Sequence, residues 1–237
     1  MKLKDLVTIV IPAKNEEKYI EGLIMDLVSQ EDIRGTKVYV ADGNSTDKTA
    51  EVVSYLSSLF SKEISIELIK GGSVSRGRNA GLEKIFTKYV IFIDADVRLT
   101  NNAQIKETVH VLRRHKKQLV SCHLKSRGSL SSKIVYSFFN LFNFFLSKFR
   151  PFALGSYFAT ETQKIIDLGK WDESLIHSED WELSGKFNPE SFSFLKYTIT
   201  VDDRRFKKMG YLKMGKMMVL SFFLGSSYRK KDNGYWK

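Results

Sequence analysis

Tyr89-Val90-Ile91-Phe92-Ile93-Asp94-Ala95-Asp96 is a run of five apolar residues that stops at two carboxylates one residue apart. A run without polar alternation reads as a strand buried on both faces. In an open α/β sheet, ligands bind beyond the carboxyl ends of such strands. If the alternation continues past Ile93, Asp94 and Asp96 point the same way and Ala95 turns away. Two carboxylates on one side repel unless a cation joins them, and a divalent metal bridging to phosphate oxygens is one solution. The competing reading has Asp96 capping the next helix and Asp94 solvated. Spacing alone leaves both open.

Upstream, residues 6–11 read as a buried strand ended by Pro12, and Asn15-Glu16-Glu17 as the opening of a helix through Gln30. Residues 36–41 are a second strand, followed by a turn rich in helix-capping residues, Asp42 to Asp47, and a helix to about Phe60. Residues 64–69 are a third strand, and Gly71-Gly72 lead into a helix that carries Arg78 and runs to Phe86. Strands alternating with helices at this spacing predict an α/β fold with a mostly parallel, doubly wound sheet. The loops 12–16, 42–47 and 94–96 then share one sheet edge. There a strand-end Asp such as Asp42 can accept hydrogen bonds from a base or ribose, and Arg78 at a helix start can meet phosphate. The chain has neither a Gly-x-x-x-x-Gly-Lys phosphate loop nor Gly-x-Gly-x-x-Gly after the first strand, which counts against ATPase and dinucleotide oxidoreductase functions.

The 237 residues suffice for one large or two small domains, and 43% hydrophobic with 27% charged residues is ordinary for a soluble globular chain. The single cysteine, Cys122, excludes an internal disulfide framework and fits a reducing compartment. The first residues lack the apolar core of a signal peptide, and no apolar stretch approaches the length of a membrane span. The net charge of +11 is uneven: residues 108–160 hold nine Lys/Arg and no Asp or Glu, and residues 201–237 hold ten basic against three acidic residues. Charge confined to particular segments points to a surface or anionic partner met by those elements rather than to nucleic acid.

The stretches Val7 to Glu17, Ala41 to Thr49, Arg78-Asn79-Ala80-Gly81 and Asp94-Ala95-Asp96 resemble, in order, the nucleotide-binding half of family 2 glycosyltransferases with the GT-A fold. Residues 153–174 and Ser178-Glu179-Asp180-Trp181-Glu182-Leu183 resemble the acceptor half, so the resemblance covers nearly the whole chain. It implies a catalytic domain over 1–203, divided into a nucleotide-sugar half (1–98) and an acceptor half (99–203), with a basic, hydrophobic amphipathic helical segment at 204–237. It further implies inverting transfer from a UDP- or GDP-sugar with Mn2+ or Mg2+. Pro12 and Asp42 would line the nucleoside pocket, with Asn15, Glu16 and Arg78 on the donor side. Asp94 and Asp96 would be the metal–diphosphate motif, Asp96 the more direct ligand. Asp180 would be the base, and Glu179 and Trp181 would meet the acceptor. Many members carry Tyr where Lys14 stands, which leaves the base preference open. The Gln-x-x-Arg-Trp motif of processive synthases is missing, which favours addition of a single sugar.

The chemistry asks for such residues on its own terms, since an acceptor hydroxyl is a poor nucleophile and needs a carboxylate to take its proton. The competing reading of Glu179-Asp180 is acidic residues at a helix N-terminus. His177 reads as a loop contact.

Residues 134–149 carry six phenylalanines, with Ser137, Asn140, Asn143 and Ser147 recurring as one narrow polar stripe. At about 1.5 Å per residue this helix is too short to span a bilayer, so it is either a core helix or one lying in a membrane interface. Residues 204–225 repeat the character: Arg204 and Arg205 resemble a feature of small membrane-associated, often prokaryotic family members, and either could reach the donor diphosphate or a phospholipid-type acceptor. The expectation is a cytoplasmic enzyme, peripheral on the inner face of the cell membrane, acting on a lipid-linked or glycan acceptor. The rival readings are a polyprenyl-phosphate glycosyl synthase, a non-catalytic basic module that binds lipid or nucleic acid, and a nucleotidyltransferase.

Overall fold

A computed structural model describes residues 2–202, 204, 210, 216, 220 and 228–230. In it the apolar run at 89–93 is a strand with all five residues buried. Three parallel strands precede it, β1 (Val7–Ala13), β2 (Thr36–Asp42) and β3 (Ile64–Lys70), which makes it β4 (Tyr89–Ile93). β5 (Arg98–Leu99), β6 (Leu119–Ser126), β7 (Tyr157–Glu161) and β8 (Phe192–Val201) complete an eight-stranded sheet in the order β3-β2-β1-β4-β7-β6-β8-β5.

The sheet is mostly parallel, as the alternation predicts, with two reversals after β4. β7 runs antiparallel between β4 and β6, and β5 runs antiparallel along β8. The central place of β4 explains its composition. Ile91 and Ile93 feed one core while Val90 and Phe92 feed the other, so neither face tolerates a polar residue. The first core lies under helices α1 (Ile20–Val28), α2 (Thr49–Leu59) and α4 (Gln104–Arg114). The second lies under α3 (Val74–Leu82), α6 (Thr162–Asp167) and α7 (Glu179–Ser184), with Phe158 and Trp171 packed against Phe92.

Two boundaries depart from the sequence reading. The first helix starts at Ile20, five residues after Asn15. The backbone N–H groups of Asn15, Glu16 and Glu17 are already taken by side chains of the next loop, Ser45 (2.9 Å), Thr49 (2.8 Å) and Asp47 (3.2 Å), and Asn15 itself sits at φ 56°. That stretch is therefore a laced loop. The helix carrying Arg78 ends at Leu82, short of Phe86, which lies fully out in solvent.

The phenylalanine-rich helix is α5 (Leu130–Leu146), begun by a Ser129 side chain that accepts the Ser132 N–H. It is not a core helix. Three of the four residues of its polar stripe face the protein, Ser137 alone being exposed: Asn140 bonds both the N–H (3.0 Å) and the C=O (2.8 Å) of Leu124, Asn143 donates to the Phe152 carbonyl (3.1 Å), and Ser147 is buried against Asn143. Its aromatic face is left outside. Among the described residues no helix is long and apolar enough to cross a membrane. Of the amphipathic helical segment expected at 204–237, only residues 204, 210, 216, 220 and 228–230 are among the described residues.

Candidate active site

The carboxyl ends of β1, β2 and β4 border a cleft of about 790 Å³, within the range of roughly 300–1,000 Å³ usual for ligand sites. Its wall includes Pro12, Asn15, Glu16, Asp94, Asp96, Glu179 and Arg204. Seven residues spread over nearly two hundred positions of sequence thus meet at one edge. Asp42 stands at the same edge between the wall residues Ala41 and Gly43. Its carboxylate accepts the Ser45 N–H and, at 2.5 Å, the Ser45 hydroxyl, which holds the 43–47 turn. Asn15 ties that turn to the first loop by accepting the Thr46 N–H at 2.8 Å.

Asp94 and Asp96 line the same cleft, but each has its own arginine. Asp94 continues the side of β4 that Phe92 occupies and accepts from Arg78 Nη2 at 2.9 Å. Asp96 accepts from Arg204 Nη2 at 3.0 Å, and the same guanidinium pairs with Glu16 and lies over the Tyr19 ring at 4.5 Å. Two guanidinium groups thus relieve the repulsion that the spacing implied. Arg205 lies outside the described residues.

Arg78 is 1% exposed and sits beneath the cleft rather than on its wall. Its second nitrogen, Nη1, donates to Glu179 at 2.9 Å, and the guanidinium stacks on Trp171 at 4.3 Å. One buried arginine therefore joins the Asp94 loop to the start of α7. Burial opposes its charge, but Asp94, Glu179 and Asp180 outweigh that and raise its pKa. The neighbouring Asn79 serves the same junction. Its amide donates to the Trp171 C=O at 2.9 Å and accepts the Trp171 N–H at 3.1 Å. Gly81 completes the motif because a Cβ there would collide with Val10 of β1, so the helix lies flush on the sheet.

Glu179 and Asp180 open α7 after Ser178, which is held in the left-handed region at φ 58°. That conformation is unfavourable for a residue with a Cβ, and such strain gathers at functional sites. Asp180 Oδ2 accepts the Gly155 N–H at 3.0 Å and Oδ1 accepts the Trp181 N–H at 2.7 Å. Burial first, and the Glu179 charge second, push the Asp180 carboxyl up to about 6, against the pull of the Gly155 N–H and Arg78. The helix-terminus reading is thus partly true, since both carboxylates lie in the first turn of α7, but it does not account for the raised carboxyl. Gly155, silent in the sequence, is required here because a Cβ would collide with the Arg78 guanidinium. Trp181 is buried, edge-on to Phe152 at 4.8 Å and beneath Arg150 at 4.6 Å. His177 is fully buried against Tyr228, and burial lowers its pKa. Arg229 pairs with Glu182, and its carbonyl accepts the Ile176 N–H at 3.0 Å, so described residues of the C-terminal segment reach both ends of the site.

Because Glu179 raises Asp180, Glu179→Gln should lower the acid limb of any Asp180-dependent rate by about one pH unit. The kcat/KM–pH profile checks this.

A sheet of this order, with a cleft at its carboxyl edge walled by carboxylates, is the GT-A architecture. The family model for glycosyl transferase family 2 matches residues 8–166, and the chain belongs to that family. The poly(ribitol-phosphate) beta-N-acetylglucosaminyltransferase TarS of Staphylococcus aureus is 30% identical over 121 residues, 50% of this chain and 21% of that protein. The glycosyltransferase GlyA of Streptococcus pneumoniae is 28% identical over 96 residues, 40% of this chain and 14% of that protein. The chain thus matches only about a fifth or less of the length of these relatives. Among solved structures, TarS 1–349 in complex with UDP-GlcNAc superposes with a TM-score of 0.62 at 18% identity, covering 97% of this chain and 75% of that one. The mannosyltransferase PcManGT of Pyrobaculum calidifontis, in complex with GDP-Man and Mn2+, gives 0.69 at 18% identity, covering 90% and 64%.

Proposed function

We propose that this protein is a metal-dependent, inverting glycosyltransferase that moves one sugar from a UDP- or GDP-sugar to a hydroxyl of a lipid-linked or glycan acceptor close to a membrane. The observation that carries this reading is the contrast within Glu179-Asp180. Glu179 lines the cleft and is held by Arg78, whereas the next carboxyl, set just behind that wall and accepting the Gly155 and Trp181 N–H groups, is raised to about 6 and so changes its protonation close to neutrality. In the reaction Asp180 accepts the proton of the acceptor hydroxyl as its oxygen attacks the anomeric carbon. The nucleoside diphosphate leaves from the opposite face, and a single displacement inverts that centre. Pro12, Asn15 and Glu16 border the nucleoside side of the cleft, and Asp42 reads the base by exchanging its Ser45 contact for the donor. Residues 1–98 form the donor half, 99–203 the acceptor half, and 204–237 contribute Arg204 to the diphosphate. The chemistry of the donors in the TarS and PcManGT structures, UDP-GlcNAc and GDP-Man, supports a nucleotide-sugar donor.

A divalent ion fits the residues present, because Asp96 and Glu16 already share one cationic group, the Arg204 guanidinium, beside Asp94. Among the described residues no three His, Cys, Asp or Glu side chains form a self-sufficient metal site. An ion of the Mg2+ type needs only one or two carboxylates when substrate phosphates complete its shell. Asp96, with Asp94, would hold it, and when bound it supplies charge neutralisation to the leaving diphosphate.

Screening UDP-, GDP- and dTDP-sugars for Mn2+-dependent thermal stabilisation tests the donor class, and no stabilisation by any of them would refute the reading. Asp96→Asn should abolish the Mn2+ dependence of that stabilisation. Arg204→Ala should split two affinities measured by calorimetry. Freed of a partly exposed ion pair of about 1 kcal/mol, the carboxylates should bind Mn2+ alone about fivefold more tightly. Mn2+ with the nucleotide should bind more weakly, because the cation facing the diphosphate is gone.

A further inference from the structure

Among the described residues, the outward face of α5 is an extended feature that the reaction leaves unused. Leu130, Ile134, Phe138, Leu141, Phe142 and Phe145 are each more than half exposed along one side of the helix. A water-facing helix side normally carries polar residues, and here the two asparagines have been turned inward to bond the backbone of Leu124 and Phe152. Exposed apolar surface of this extent marks an interaction site. Its rim is cationic. Lys133 stands beside it near one end, and at the other the Lys148 ammonium lies over the Phe144 and Phe145 rings at 5.1 and 5.3 Å. No Asp or Glu occurs anywhere from residue 108 to 160.

From this geometry we infer that α5 is an interfacial helix that lies flat in the surface of an anionic lipid bilayer, phenyl rings among the acyl chains and lysines among the headgroups. The inference deepens the proposed membrane-proximal acceptor and rests on that reading. A second copy of the chain is a poorer occupant, because a two-fold contact through this face would set an acid-free, cationic rim against itself. A crossing helix is excluded by length, since seventeen residues at about 1.5 Å reach only about 25 Å. The docked helix is coupled to chemistry by packing: Phe139 on its inner side meets Phe152 at 6.0 Å, and Phe152 meets Trp181, the residue after Asp180, at 4.8 Å. Docking α5 thus fixes the base near the headgroup layer, where a hydroxyl on a lipid-linked acceptor would be presented.

The test compares the full chain with Phe138→Asp/Phe145→Asp, two exposed positions whose change costs no core packing. The unaltered protein should cosediment with vesicles of phosphatidylcholine containing about one third phosphatidylglycerol, and the double variant should partition about tenfold less. Nucleotide-sugar stabilisation in Mn2+ should be equal in both. A dye on Phe138→Cys, where the only other cysteine is the buried Cys122, should shift to the blue on adding those vesicles, and the same dye at Ser58 should not. Equal partitioning of the two proteins overturns the inference. So does absence of the unaltered protein from the pellet, or a dimer in solution that the double variant dissociates. Each of these with donor stabilisation intact removes the surface and leaves the transferase reading standing, whereas loss of donor stabilisation in the unaltered protein removes the transferase reading.

Discussion

Asp180→Asn should lose sugar transfer by about 10²- to 10⁴-fold, the usual worth of a general base, and should at the same time be more stable than the unaltered protein above about pH 6. The two effects share one cause. The folded protein holds the Asp180 carboxyl at about 6, against an ordinary aspartate value of 3.8. Between those values the folded state binds more protons than the unfolded one, so this group's contribution to stability falls as pH rises through that window and stays at its minimum above it. An amide carries no charge to desolvate and so removes that cost. It keeps one acceptor for the two N–H groups of Gly155 and Trp181, which offsets part of the gain. A net gain of about 1–2 kcal/mol remains, or about 3–6 °C in Tm for a chain of this size. Near pH 4 the gain should vanish. Melting curves at the two pH values check the stability half, and initial rates with saturating donor check the catalytic half. Retained transfer would remove Asp180 as the base and point to a phosphate acceptor, which needs none. Its transfer should otherwise rise with pH through about 6 in the unaltered protein, since only the ionised carboxylate can accept a proton.

How much of this was legible follows from the range over which each interaction acts. β4 could be read because a strand buried on both faces has no freedom in composition, and the abrupt change at Asp94 marks its end within the same eight residues. The convergence of Pro12, Glu16, Asp94 and Asp96 on one edge follows from α/β topology once the strands are found, whereas Glu179, at the start of α7, was placed there only by the family resemblance. The partners of the two aspartates were not readable. Arg78 stands sixteen residues before Asp94, and Arg204 stands 108 residues after Asp96; nothing in either local pattern says which carboxylate each arginine will meet. Arg78 looked like a phosphate ligand because it was read at a helix start, but α3 begins at Val74, and only the fold reveals that Glu179 and Trp171 close over Arg78. The start of α1 was misjudged for a similar reason: Asn15-Glu16-Glu17 has the composition of a helix start, but the acceptors for its N–H groups come from Ser45, Asp47 and Thr49. Helical periodicity found the polar stripe of α5 without saying which side faces in. A stripe of amides is an outer face in most helices, and here Asn140 and Asn143 are inner anchors because β6 and the 150–153 turn present unpaired backbone to them.

Arg78→Met should destabilise the protein by about 3–5 kcal/mol, the cost of leaving buried carboxylates without their counter-ion. The methionine fills the stem's volume and contacts Trp171, so the loss measures charge rather than a cavity. Arg78→Lys should fall between, because one ammonium cannot span the two 2.9 Å bonds to Asp94 and Glu179 that a planar guanidinium makes. Adding Glu179→Gln to Arg78→Met should recover part of the stability, since it removes one of the stranded charges, and urea titrations of the single and double variants yield the coupling. A merely structural arginine would make no further prediction. This one does, because Arg78 is among the groups that hold the Asp180 carboxyl down while Glu179 pushes it up. The acid limb of kcat/KM should therefore move to higher pH in Arg78→Met and to lower pH in Glu179→Gln. Opposite displacements from two residues that grip each other would mean that the bridge beneath the cleft, besides joining the two halves, sets the pH at which the base begins to work.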